Sequence, residues 1–401
     1  MPLLSAIKSL IPSALRKRIS SSMEWYGLPM TARDEISADN SGRLFADPGP
    51  AAAIKLMADW LLEAQRLSTT ADGGYARHFS IASGWGQSYP ETTGYIIPTL
   101  IHTSEYLGDT RYADSAQRAL EWCKAIQFPE GGFQGGVIKA NPLVPVTFNT
   151  GQILLGLAAG VQRFDAYHDE TRRAAEWLVK TLDDDGCWRR HPTPFAKPGE
   201  KTYETHVAWG LLEAARALEE PAYGAAALKN IRWALTKQQP NGWFKDCCLT
   251  DLITPLTHTI GYALRGIIEG YRYEADPQLL AAAELTAQAL LGVIEANGRI
   301  AGCFNHDWTP AAEWSCLTGA VQIAACWFLL FDITGNRAYA EAARRANAFV
   351  RRTIHQDGDV GLRGAVKGSY PVDGHYGRFE ALNWAAKFAI DANFMELACK
   401  A

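Results

Sequence analysis

The chain has no C-x-x-C pair, no long basic block, and no N-terminal apolar run long enough for a signal-peptide core or a membrane span. Each absence narrows the field. The eight cysteines, Cys123, Cys187, Cys247, Cys248, Cys303, Cys316, Cys326 and Cys399, follow no framework spacing. That argues against a zinc ribbon or disulfide scaffold and fits small buried residues of a reduced, cytoplasmic protein. A net charge of -4 with no concentrated Lys/Arg surface argues against a nucleic-acid partner. Convincing period-two strands are also missing; from about residue 50 onward, long amphipathic stretches alternate with short turns, so the class is all-α.

Residues 1–48 read as an N-terminal arm, and residues 49–401 as one domain. Within the arm, Leu3, Leu4, Ile7, Leu10, Ile11 and Leu15 fall at helical spacing beside Arg16, Lys17 and Arg18, with no acid before Glu24. Residues 1–18 therefore fit a helix lying peripherally on an anionic membrane surface, or an arm packed on its own domain, with Pro12 weakening the helix.

What the chain does have is a repeat. T-T-A-D-G-G-Y, Q-F-P-E-G-G-F, L-D-D-D-G-C-W and Q-Q-P-N-G-W-F share a glycine two residues before an aromatic, and I-E-A-N-G-R-I and I-H-Q-D-G-D-V are weaker copies. The central glycines are Gly73, Gly131, Gly186, Gly242, Gly298 and Gly358, at intervals of 58, 55, 56, 56 and 60 residues. Glycine suits a helix ending in a left-handed conformation, over which the next aromatic folds back. Each unit holds one helix sided like a surface helix and one that is apolar nearly all round and rich in Gly and Ala. Six such pairs make a closed double ring, an (α/α)6 toroid.

The Q-x3-G-x-(W/F) pattern of Gln127/Gly131/Phe133 and Gln238/Gly242/Phe244 is similar to the repeat motif of terpenoid cyclases and protein prenyltransferases. The six helical hairpins equally resemble the six-hairpin glycosidases, polysaccharide lyases and sugar epimerases. The resemblance covers residues 50 to 400 and implies the toroid; the chemistry must come from the site. The D-x-D-D and D-D-x-x-D runs of isoprenoid enzymes are absent, and Asp183-Asp184-Asp185 reads as a solvent-facing turn cap. Cys316 and His258 are a thin basis for zinc, so no metal and no cofactor is expected.

Counting 18 residues from the turn glycine reaches Glu91, Asn149 and Glu204, each followed by threonine; His258-Thr259 and Ser315-Cys316 hold shifted places in the next two repeats. Such residues cap helix starts, and they also place acids and bases around one cavity. The candidate catalytic set is Glu91, Tyr203, Glu204, His206 and His258. Candidate substrate-binding residues are Tyr89, Asn149, Tyr376, Arg378, Glu380 and Asn383, with Trp85, Trp209, Trp314 and Trp384 as stacking platforms. Two carboxylates serve a glycosidase; a base, an acid and a carboxylate-holding group serve a lyase or epimerase on a uronic acid. The inventory points to a carbohydrate-active enzyme using metal-independent acid/base catalysis on a glycan or sugar. An isoprenoid enzyme and a non-catalytic glycan-binding toroid are the alternatives, and the oligomeric state is not encoded in any pattern found.

Overall fold

The computed structural model describes residues 25–251 and 253–400, so the amphipathic segment over residues 1–18 lies outside the described residues. After helix α1 (Met30–Asn40) come six outer helices: α2 (Pro50–Arg66), α4 (Thr110–Ile126), α6 (His168–Thr181), α8 (Pro221–Leu235), α10 (Pro277–Leu291) and α12 (Arg337–Arg351). They alternate with six inner helices, α3 (Pro90–Leu107), α5 (Thr147–Phe164), α7 (Thr205–Ala217), α9 (Thr257–Glu274), α11 (Leu317–Thr334) and α13 (Asn383–Ala398). The outer helix α12 buries Tyr339, Ala343, Ala346 and Val350 and turns most of its charge outward, whereas α5 is buried continuously from Thr147 to Ala158.

Consecutive inner helices pack side by side and α13 returns to α3, closing the ring. α13 also pairs with α2, so the last hairpin is built from the two ends of the toroid. The glycines of the inner helices have a packing cause. A Cβ on Gly156 would lie 2.3 Å from the carbonyl oxygen of Gly94, and one on Gly210 2.3 Å from that of Gly151. Neighbouring inner helices thus meet backbone to backbone. α11 is long and apolar enough to cross a membrane, but 72% of it is buried inside the ring, as an inner helix requires.

The turn glycines depart from the sequence expectation. They do not cap the outer helices: α4 ends at Ile126, and Gly131 stands in a separate tight turn, its N–H donating to Phe128 O while Phe128 N–H reaches Gly132 O. All six have positive φ, from 82° at Gly242 to 105° at Gly131. A second constraint adds to conformation. A Cβ on Gly131 would meet Arg173 O at 2.2 Å, and one on Gly298 would meet Arg345 O at 2.0 Å, so each turn seats against the next outer helix. In the last repeat Gly358 has nothing within 4 Å; Gly364, with φ +80° and Leu56 O at 2.2 Å, makes the contact with α2 instead. The Asp183–Asp185 run sits as expected at such a turn, with Asp185 accepting from Cys187 N–H at 3.1 Å.

Short strands occur that the sequence does not announce, because two or three residues cannot display a period. β1 (His78–Ser80), β2 (Gly84–Trp85) and β5 (Glu380–Leu382) form an antiparallel sheet in the order β2-β1-β5, with Phe79 opposite Ala381. This sheet ties the first mouth loop to the last. β3 (Ser315–Cys316) and β4 (Ser369–Tyr370) form a second pair. The described part of the arm is docked: the buried Lys367 ammonium donates to Glu35 at 2.9 Å and to Asp39 at 2.6 Å, clamping α1 onto the last repeat.

Candidate active site

Every inner helix starts at the same end of the ring, where the loops after the turn glycines cross. There the first helical turns enclose a cavity of about 600 Å³ of atom-free space, counting its mouth. Its floor and walls follow a simple register: Glu91, Phe148, His258 and Trp384, each the second residue of its inner helix, all line it. In the third repeat a 3-10 turn, Thr202–Glu204, precedes α7, and its second residue, Tyr203, takes the equivalent place.

Glu91 is half-buried and walled by aromatic rings, and this loss of hydration raises its carboxyl pKa to about 8, against the opposing pull of Arg77 and of a hydrogen bond from Tyr89. It is held as a neutral acid at pH 7. His258 has the opposite character. Burial lowers its pKa to about 4, against a hydrogen bond to Gln322, so its imidazole is neutral. Its Nδ1 lies 2.8 Å from Gln322 Oε1, which can only accept. With the Gln322 amide in this orientation Nδ1 carries the proton, and Nε2 is left with the lone pair. One cavity thus holds an acid and a base whose surroundings push them apart.

Tyr262, one helical turn after His258, also lines the cavity; its ring lies 4.3 Å from both His258 and His206. Tyr376 lines it too, its ring 5.2 Å from His258 and its oxygen accepting from Trp384 Nε1 at 2.7 Å. Burial holds the hydroxyl protons of Tyr203, Tyr262 and Tyr376 in place far above neutrality. Arg77 completes this wall, its guanidinium 5.2 Å above the Trp384 ring and donating to Glu380 at 2.8 Å.

Of the candidates from sequence, the cavity brings together Glu91, Tyr89, Tyr203, His258, Tyr376 and Trp384. The others lie elsewhere. Glu204 ends the 3-10 turn instead of entering the first turn of a helix and is not among the lining residues: its electrostatic neighbours are Tyr203, Lys201 and Cys187, and Cys187 packs on Trp233 of α8. His206 is fully buried against Tyr262 with its Nδ1 held by Gln152 at 2.7 Å, and it does not reach the lining. Asn149 and Asn383 tie the mouth loops, each donating at 2.9 Å, to Gln134 O and Ala76 O respectively. Glu380 stands behind Arg77. Arg378 points outward, donating to Asp373 O at 3.3 Å and lying over Phe379.

Three tryptophans pack instead of lining the cavity. Trp85 lies against Trp60 and Phe79 with ring centres 5.2 Å apart in each case. Trp209 sits under the Arg265 guanidinium at 4.0 Å and donates to Glu213, while Trp314 covers Gly302. Cys316 Sγ accepts from Gly319 N–H and caps α11. Arg77, Phe148, Phe195, Leu249 and Tyr262 are lining residues that the spacing count did not select. Tyr262 had a signal, its position four residues after His258; Phe195 and Leu249, on irregular loops, had none.

No protein-family model and no curated protein matches the sequence. Solved structures do match in fold. An unsaturated glucuronyl hydrolase specific for heparin superposes with a TM-score of 0.70 at 15% identity, covering 88% of this chain and 98% of its own. The cellobiose 2-epimerase of Bacillus thermoamylovorans gives 0.68 at 11% identity, covering 91% and 98%. A D-mannose isomerase gives 0.69 at 11%, covering 87% and 97%. The expected α/α toroid is the observed fold.

Proposed function

We propose that this protein is a carbohydrate-active enzyme that performs acid/base chemistry on a sugar carrying a carboxylate. The observation that carries the proposal is the convergence on one cavity of Glu91 as a neutral acid, His258 as a neutral base with its free nitrogen defined by Gln322, and the Arg77 guanidinium. Arg77, held over Trp384 and paired through Nη1 with Glu380, keeps further guanidinium N–H groups for a carboxylate in a cavity walled by aromatic rings. In proton abstraction next to that carboxylate, His258 Nε2 takes the proton, Arg77 stabilises the growing negative charge, and Glu91 returns a proton or assists the departing oxygen.

Among the described residues, Glu91 is the one carboxylate that lines the cavity. The two-carboxylate scheme of most glycosidases lacks its second member here, so elimination or epimerisation is favoured over that form of hydrolysis. The neighbours in fold, named as a glucuronyl hydrolase, a cellobiose epimerase and a mannose isomerase, support a sugar as substrate. An isoprenoid funnel gains nothing from burying Glu91 and His258 beside Arg77, and a non-catalytic binding ring needs no acid and base with opposed shifts.

The test is to incubate the protein with uronic-acid oligosaccharides, following unsaturated-product absorbance, reducing-end release, and exchange of ring protons in deuterated water. Turnover in one of these assays is expected. Binding of prenyl diphosphates, with no sugar bound or turned over, would contradict the proposal.

A further inference from the structure

The cavity is unevenly lined. Its deeper wall carries Arg77, Glu91, Tyr203, His258 and Tyr376 around Phe148, whereas nearer the mouth the third and fourth repeats add Phe195 and Leu249 beside Thr193. Phe195 is 55% exposed, an aromatic ring left in water at the lip of a site. Leu143 and Ile253, on the mouth loops of the second and fourth repeats, are exposed as well. Scattered apolar residues are ordinary on a surface; apolar residues on three successive mouth loops, with Phe195 and Leu249 among them lining the cavity, are not.

Nor is Phe195 on a loose loop. Its segment reads H-P-T-P-F, and two prolines restrict the backbone. His191 O accepts from Thr147 N–H at 3.0 Å, Ala196 N–H closes a turn on Thr193 O at 2.9 Å, and Lys197 N–H reaches Leu249 O at 3.0 Å. The third mouth loop is thus stitched to the second and the fourth, and the ring is presented in a fixed place. A second sugar at this lip would need partners for several hydroxyls; Phe195 and Leu249 offer no side-chain donor or acceptor, and Thr193 brings a single hydroxyl to this loop's share of the lining.

We infer that the group attached to the sugar is apolar: the substrate is a glycoside with an alkyl or aryl aglycone, its charged ring against Arg77 and its apolar part running from Phe148 out across Leu249 and Phe195. This rests on the sugar-acid function proposed above and names its substrate class.

The experiment is calorimetric titration of the full-length protein with methyl β-D-glucuronide, with octyl β-D-glucuronide below its micelle-forming concentration, with a glucuronyl-glucose disaccharide, and with octanol. The octyl glycoside is expected to bind at least about ten-fold more tightly than the methyl glycoside or the disaccharide, the gain from roughly two buried methylenes. In Phe195→Ala the octyl-to-methyl ratio falls toward one. Methyl glucuronide bound with no gain from the octyl chain, or the disaccharide bound most tightly, overturns the apolar lip and leaves the sugar-acid site standing. Octanol bound as tightly as octyl glucuronide overturns the sugar-acid site, and with it this inference. The wild-type comparison decides the matter even if the variant folds poorly.

Discussion

At the scale of single residues, the opposed character of Glu91 and His258 sets a pH dependence. Glu91 acts as an acid, so its contribution is lost as pH rises through about 8; His258 acts as a base, so its contribution is lost as pH falls through about 4. The profile of kcat/KM is therefore expected to be flat between those limbs. Gln322→Glu places a carboxylate on His258 Nδ1–H, stabilises the imidazolium, and should move the acid limb upward by about one unit or more while leaving the basic limb in place. A rate profile that Gln322→Glu does not shift would show that His258 is not the titrating base. Part of this site was legible in the sequence. Glu91 and His258 were reached because polar residues at helix starts recur with the repeat. Glu204 and Asn149 were reached by the same count and do not line the cavity. The count is uniform, but Glu91 is the second residue of α3, Asn149 the third of α5, and Glu204 the end of a 3-10 turn. One residue of slip turns a helical side chain by about 100°, which separates cavity from packing.

At the scale of elements, the helices and their order were legible because an outer helix must be sided and an inner one cannot be. The glycine period was legible too, though its cause was incomplete. Left-handed geometry was anticipated; the carbonyl of the next outer helix was not, since it belongs to a residue more than 40 positions away. This separates Gly358 from Gly364 experimentally. Both have positive φ, but a methyl at Gly358 meets open space and one at Gly364 meets Leu56 O. Gly364→Ala should cost roughly 2 kcal/mol more than Gly358→Ala, read as the difference in denaturant midpoint at constant slope. Equal losses would mean that the turn's conformation, and not its seating on α2, is what selects glycine. The mouth strands and the loop carrying Phe195 were not legible, because pairing between distant short segments leaves no local pattern.

At the scale of the whole molecule, stability depends on closing the ring. The α2–α13 pairing, the β1–β5 pairing and the clamp of α1 all join the chain's beginning to its end. In the clamp, a buried Lys367 serves both Glu35 and Asp39, with His355 3.0 Å from Glu35. Lys367→Ala takes from buried Asp39 the cation that holds it, while Glu35 keeps Arg43 at 2.6 Å, and should cost about 3 kcal/mol or more, whereas the combined Lys367→Met and Asp39→Asn change should recover much of that loss in thermal unfolding. If the single change is as mild as the double one, the Lys367–Asp39 charge pair does not hold α1. The closed ring also fixes which carboxylate faces the cavity, and that is the central claim. The most direct measurement compares turnover of a uronic-acid glycoside by Glu91→Gln and Glu204→Gln, both near-isosteric. Glu91→Gln should lower kcat by about 10²–10⁴-fold with little change in binding, and Glu204→Gln should stay within about ten-fold of wild type. Loss of turnover in Glu204→Gln with activity retained in Glu91→Gln would contradict the site described.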